Sequence, residues 1–173
     1  MQYDVVVVGA GGMGSAALYH LARNGVRACV VERFGIAHDR GSSHGGTRII
    51  RKAYMEHPDY VPLLRDAYQL WGEIEQDTGE KLLHKTGVLY MGFPDGAAIS
   101  GVKLAAKTYN LTFSTHTHGE LANQIPQFTL HSGMVGALEP EGGYLLSELA
   151  VKIYAQAAQQ LGTKLLTNEP LLN

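Results

Sequence analysis

Three glycines near the start of the chain have a spacing suited to holding phosphate. Gly9, Gly11 and Gly14 spell G-x-G-x-x-G in the segment GAGGMG. In that spacing the first glycine permits a tight turn and the second lets backbone approach a pyrophosphate with no Cβ in the way. The third lets a following helix pack closely on the preceding strand. The phosphates then rest on the unpaired N–H groups and positive end of that helix. Glu32 follows about 20 residues on, where an acid accepts hydrogen bonds from ribose hydroxyls and repels a 2′-phosphate. A second group is GSSHGGTRIIRKAY, residues 41–54. It offers the hydroxyls of Ser42, Ser43 and Thr47, the imidazole of His44, and the guanidinia of Arg48 and Arg51. The two arginines are three positions apart, so a helical turn would set them on one face. One cation would stabilise charge developing on a flavin ring, and the other would form a fork to a carboxylate. The same composition suits a solvated basic loop. The residues alone leave both readings open, and the glycine fingerprint does not separate FAD from NAD.

These groups need elements to position them. Residues 3–8 (YDVVVV) form a β-branched run that reads as a buried parallel strand. Met13, Ala16, Ala17, His20 and Leu21 then recur at helical spacing until Asn24 and Gly25 stop the helix. Residues 27–31 make a second strand, which completes a strand–helix–strand unit with a right-handed crossover. Residues 34–53 lack a period and read as a long loop leading into a short helix or turn. Asp59 is placed to cap the next helix, with Pro62 in its first turn and Leu64, Ala67, Trp71 and Ile74 along one face. Strands are expected at 86–92, 111–115, 134–138 and 163–167, a helix at 97–109 stopped by Asn110, and a tight turn at Gly142, Gly143 and Tyr144. A last helix, capped by Ser147, carries Ala150, Tyr154, Ala157 and Leu161 and closes at Gly162. The expected fold class is α/β. A Rossmann-like dinucleotide-binding domain occupies residues 1–53 and 146–173, and an inserted α+β lobe occupies residues 54–145.

Composition removes several alternatives. Of 173 residues, 45% are hydrophobic and 17% charged, as in ordinary globular chains. The net charge is -2 with no basic stripe, which argues against a nucleic-acid partner. The apolar run at residues 5–8 is too short to span a membrane and lacks the flanks of a signal peptide. The single cysteine, Cys29, has no disulfide partner within the chain, so a reducing, cytoplasmic location is expected. His116 and His118 form an H-x-H pair without a third ligand in view and read as an exposed strand or loop pair, so no metal is expected. Tyr68 and Trp71 read as core residues. No G-x-S-x-G elbow is present.

The segment GSSHGGTRIIRKAY resembles the G-S-x-H-G-x-T-R-x-I-R-x-A-Y signature of the sarcosine oxidase and N-methyltryptophan oxidase family. The likeness continues through YVPLLRDAYQLW, KTGVLYMG and EPEGGYLLSELAVKIYAQAAQQLGTKLLT and covers essentially the whole chain. Residues 108–135 diverge most, and Gly46 stands where close relatives usually carry an acid. The resemblance implies a flavoenzyme that takes hydride from a secondary or N-methyl amino acid and passes the electrons to O2, releasing H2O2. It makes the Rossmann-like domain an incomplete FAD-binding domain and the inserted lobe part of a substrate domain. It assigns Gly9, Gly11, Gly12, Met13, Gly14, Glu32 and Arg33 to the ADP half of FAD, and Ser42, His44, Thr47 and Arg48 to the flavin side. Arg51 and Arg48 become the catalytic candidates, with Arg51 on the substrate carboxylate. Leu171 or Leu172 falls where the family's third strand meets the adenine. The family's chains run considerably longer, and their second half carries a flavin-linking cysteine, an O2-activating lysine and a G-H-G-F-K segment. Cys29, inside a strand, is not that cysteine. The expectation is a chain that is not self-sufficient, either a truncated gene product or one piece of a split protein whose missing half a second polypeptide supplies, with one edge of the first strand left unpaired. Two other readings stay open: a non-catalytic dinucleotide-binding fragment and an NAD-dependent dehydrogenase.

Overall fold

The structure is a computed structural model that describes residues 2–128 and 130–171; Leu172, one of the two adenine candidates, lies outside the described residues. The chain forms two compact units. One comprises the chain through Arg48, Glu73–Leu82 and the chain from Leu145; the other comprises Ile49–Gly72 and Leu83–Tyr144.

In the first unit the valine run forms β1 (Val5–Val8), pairing in parallel with β2 (Ala28–Glu32), Val5 opposite Ala28 and Val8 opposite Val31. β9 (Lys164–Thr167) adds a third parallel strand on the far side of β2, with Glu32 opposite Thr167. The order β1–β2–β9 leaves β1 at an edge of this sheet among the described residues. α1 (Gly12–Arg23) crosses between β1 and β2 and packs chiefly against α5 (Ser147–Gln160). Leu18 and Tyr19 from α1, Cys29 and Val30 from β2, and Val151, Tyr154 and Ala158 from α5 are buried together in this unit. Tyr19 and Tyr154 meet edge to face at 5.4 Å. This is the Rossmann-like arrangement that the fingerprint requires.

In the second unit β5 (Val88–Gly92), β7 (Val135–Glu139) and β6 (Ser114–His116) form an antiparallel sheet in that order. α3 (Ala97–Tyr109) packs on it, and Ala53, Ile99, Val102 and Ala137 form the cluster between them. Asn110 ends α3 in the left-handed region, φ 50°, as its short polar side chain tolerates. A third sheet has the order β3–β8–β4, from β3 (Arg48–Ile50), β8 (Gly143–Leu145) and β4 (Leu83–Lys85). α2 (Tyr60–Thr78) begins directly after Asp59, with Pro62 as its third residue.

Four local expectations change. Residues 34–53 hold turns and the short strand β3, not a helical turn, so Arg48 and Arg51 do not share a helix face. Gly143 and Tyr144 are in β8; the tight turn lies one step earlier, closed by the Gly142 N–H on Glu139 O at 3.3 Å. Ser147 is the first residue of α5 rather than its cap, and its hydroxyl is engaged elsewhere. His118 opens a helix, α4 (His118–Gln124), set by a capping box between Thr117 and Glu120. Among the described residues, no helix is long and apolar enough to cross a membrane, and no group of three His, Cys, Asp or Glu is placed to hold a metal ion.

Candidate functional site

Three glycine positions shape the end of β1. Gly9 turns the chain at φ 90°, a conformation L side chains rarely adopt, and its N–H donates to Val31 O at 2.8 Å. Gly11 is the N-cap of α1 and supplies no side-chain cap. An ideal Cβ on Gly14 would lie 1.8 Å from Gly9 O, so position 14 admits no side chain while α1 stays this close to β1. The first turn of α1 contains no acid. Its amides, uncapped by any carboxylate, keep the partial positive charge that attracts phosphate.

Those amides open on a cavity of about 310 Å³. Gly9, Gly11, Gly12, Met13 and Gly14 line one side, and Ala37, His38, Gly41, Ser42 and Ser43 another, with Glu148 and Val151 of α5 completing it. Met13, which lines this cavity, is 90% exposed. Ser43, not Ser42, supplies the hydroxyl that meets the helix: Gly12 N–H donates to Ser43 Oγ at 2.9 Å. Ser42 contributes its carbonyl instead, which accepts from Arg48 Nη2 at 2.8 Å. Arg48 also donates to Thr47 O at 2.8 Å and to His44 O, so its guanidinium grips the carbonyls of its own loop. Thr47 itself is exposed. Gly45, at φ 113°, has Arg48 Nη1 only 2.9 Å from where its Cβ would be.

Ser147, which the sequence offers only as a helix cap, and Glu148, which sequence reasoning passed over, hold this loop from the other side. Glu148 Oε1 accepts from the Gly45 N–H at 2.8 Å and lies 2.9 Å from His44 Nδ1. The Ser147 hydroxyl donates to Gly45 O at 2.5 Å. In the sequence the pair looks like any polar start to a helix; nothing local signals a partner about a hundred residues earlier.

Glu32 sits at the end of β2, 5% exposed. Its Oε2 accepts from Ala10 N–H at 2.7 Å and its Oε1 from Phe34 N–H at 2.9 Å, with His38 Nε2 3.3 Å away. Burial works to raise its pKa, but the hydrogen bonds from Ala10 and Phe34 and the neighbouring His38 outweigh it and hold the carboxyl below its ordinary value. The acid assigned to ribose therefore also braces the glycine turn. Stability from a carboxyl depressed in this way is present above its unfolded pKa, about 4.3, and is lost as the pH falls through the lower folded value. Glu32→Gln keeps one acceptor but turns an amide NH2 toward the other backbone donor. We expect it to lower unfolding free energy by about 1–3 kcal/mol at pH 7 in urea titrations, with the gap from the parent chain closing at pH values below the folded pKa. An equal gap at all pH values would count against the charge as its cause.

The remaining assigned residues are placed as follows. Arg33 stacks its guanidinium over Phe34, 5.4 Å from the ring centroid. Leu171 lies beyond the end of β9 and is 70% exposed. Arg51, in the second unit, lies over Tyr54 at 4.8 Å and reaches Glu56 only at 3.6 Å. Its Nε is buried with no hydrogen-bond partner. The amides that follow it are fixed: Lys52 N–H and Ala53 N–H donate to Glu139 at 2.7 and 3.0 Å, and Glu139 is 1% exposed.

The family described as FAD dependent oxidoreductase (DAO) matches residues 4–173. The monomeric sarcosine oxidase of Streptomyces avermitilis is 38% identical over 169 residues, covering 98% of this chain and 44% of that protein. An N-methyl-L-tryptophan oxidase of Yersinia pestis is 37% identical over 171 residues, covering 99% of this chain and 46% of that protein. Among solved structures, NikD, an unusual amino acid oxidase essential for nikkomycin biosynthesis, superposes with a TM-score of 0.85 at 26% identity, over 96% of this chain and 43% of its own. The glycine oxidase of Bacillus cereus shares the fold, with a TM-score of 0.75 at 20% identity over 96% of this chain and 46% of its own. The chain spans less than half the length of these relatives. A match running from Asp4 onward, on a strand–glycine turn–helix that admits a dinucleotide, shows that this chain belongs to the FAD dependent oxidoreductase family.

Proposed function

We propose that this chain holds FAD for the oxidation of a secondary or N-methyl amino acid. The observation that carries the reading is the cavity at the α1 N-terminus, where Gly14, with no room for a Cβ, keeps α1 close on β1 and the glycine turn faces the loop that begins the arginine signature. The cavity's volume falls within the range of small-molecule sites, and the acid-free helix start suits a pyrophosphate. Gly11, Gly12 and Gly14 would hold the diphosphate, Glu32 the ribose, and His44, Thr47 and Arg48 the flavin side. Bound FAD would supply a hydride acceptor that returns its electrons to O2 as H2O2.

Arg51 is assigned the substrate carboxylate. Its guanidinium is held on the Tyr54 ring with a long contact to Glu56 and a buried Nε still lacking a partner, the state of a fork awaiting an anion. The sarcosine and N-methyltryptophan oxidases named above support amino-acid amines as the substrate class.

The test is to titrate the 173-residue chain with FAD and with NAD, following flavin fluorescence and visible absorbance. FAD uptake at micromolar concentrations or below supports the reading, and preference for NAD overturns it. In flavin-loaded protein, Arg51→Met is expected to weaken the anaerobic spectral response to sarcosine by about tenfold or more, as loss of an arginine–carboxylate fork does. An unchanged response would move the carboxylate site elsewhere.

A further inference from the structure

We infer that Glu148 is a positioning residue for the cofactor: the start of α5 holds residues 41–48 in the conformation that closes the cradle at the α1 N-terminus. The inference rests on the FAD-binding reading above.

The Gly45 peptide is gripped on both sides by consecutive residues of α5. Glu148 Oε1 takes its N–H at 2.8 Å, and the Ser147 hydroxyl reaches its carbonyl at 2.5 Å. The same Oε1 lies 2.9 Å from His44 Nδ1, which fixes the orientation of the ring assigned to the flavin side. Two residues before Gly45, Ser43 touches the Gly12 N–H; three residues after it, Arg48 folds back on the carbonyls of Ser42 and His44. The loop is therefore tied to α1 near its start, to its own arginine at its end, and to α5 at its middle. Of these three ties, the middle one comes from outside the loop and α1. A loop with three glycines among its eight residues has many other conformations open to it, and ordering it must be offset by such contacts.

Glu148 also lines the cavity, where a carboxylate facing a pyrophosphate would repel it. The geometry favours positioning over repulsion. Both loop donors lie on one oxygen, and the Gly45 N–H is the main cause holding the carboxyl below its usual pKa, with His44 adding to it. The side chain is 34% exposed, so its longer-range field is screened by water, whereas its short charge-assisted contacts act at full reach.

The experiment compares Glu148→Ala, Glu148→Gln and Ser147→Ala in the 173-residue chain. Four quantities are measured: Kd for FAD, Kd for ADP, hydrogen exchange of the Gly45 amide without nucleotide, and thermal unfolding. Glu148→Ala is expected to weaken FAD by about tenfold or more and to speed Gly45 exchange by a similar factor, with the unfolding temperature nearly unchanged. Glu148→Gln, which keeps an acceptor for the Gly45 N–H, is expected to recover most of the affinity; a merely structural carboxylate would not be rescued this way. If Glu148→Ala fails to fold, Ser147→Ala removes the other half of the grip and is expected to weaken FAD by about threefold. Unchanged or tighter FAD binding in the folded variants overturns the inference and makes Glu148 only a repelling charge. Failure of the parent chain to bind FAD instead sinks the underlying reading, and the Gly45 exchange rates show which of the two has failed.

Discussion

Gly14→Ala is expected to lose FAD binding by more than about a hundredfold while the chain keeps its secondary structure. The new Cβ would lie 1.8 Å from Gly9 O, 2.9 Å from Gly9 C and 3.3 Å from Val7 Cγ1. The two closest atoms are backbone, in a turn whose φ of 90° already restricts it, so no rotamer change relieves the clash. Either α1 retreats from β1 or the turn opens, and both withdraw the first-turn amides from the phosphates. Overpacking of this kind costs about 1–3 kcal/mol in stability, which a whole unit survives, but a phosphate cradle misplaced by about an ångström does not function. Gly12→Ala is the internal control. Its Cβ would meet only Ser43 Oγ, at 3.1 Å, a side chain free to rotate, so the expected loss is under about tenfold. Fluorescence titration with FAD, alongside circular dichroism, distinguishes the two. Parent-like affinity in Gly14→Ala would remove the close helix approach from the account of binding.

Glu139→Ala is expected to destabilise the second unit by about 3–5 kcal/mol, a large part of what a domain of this size possesses. Glu139 is almost fully buried, and its two oxygens are the partners of the Lys52 and Ala53 amides. Alanine leaves the buried Ala53 amide and the half-buried Lys52 amide unpaired and opens a void beside Ala53, which is fully buried in the apolar cluster with Ile99 and Val102. The Tyr90 hydroxyl, which donates to Ala53 O at 2.9 Å, loses its neighbour as well. Burial first, and then the Glu139 charge, push the Tyr90 pKa upward, so the phenol stays a neutral donor throughout the working pH range. Glu139→Gln retains one acceptor, and about half the loss is expected. Urea unfolding followed by Trp71 fluorescence measures both. Because Arg51 directly precedes the two amides, the glutamine variant should also blunt the sarcosine response. A variant as stable as its parent would mean that the buried carboxylate has no net role in holding this segment.

The sequence is most informative where a short-range rule meets a steric requirement. The G-x-G-x-x-G turn, the helix after it and the acid at the end of β2 were all legible, because each depends on residues close along the chain. Asn110 as the stop of α3 was legible for the same reason. The boundaries of β5 and β6 were less so, since short apolar runs fit several registers. α4 carried a readable signal, T-x-x-E at Thr117 and Glu120, but the H-x-H pair drew attention to strand or metal chemistry over the same residues. β4 and β8 are three residues each, too short for a period to appear. The loop at residues 41–48 showed which residue types it contained but not their partners. That Ser43 rather than Ser42 touches α1, that Arg48 turns back on its own loop, and that Glu148 and Ser147 hold Gly45 are all tertiary facts. None has a counterpart in local spacing.

The 103 positions that separate Gly45 from Glu148 also set a timetable for biosynthesis. β1, α1 and β2 leave the ribosome early with the glycine turn already encoded. The helix that packs on α1, and the strand that pairs with β2 on its far side, are translated only after the residues of β5, β6 and β7. Contacts this distant along the chain are slow to form, because the intervening polypeptide must first be brought into a closed loop. A nascent chain halted at β7 therefore carries the nucleotide fingerprint without α5 or β9, and the grip on Gly45 waits for their synthesis.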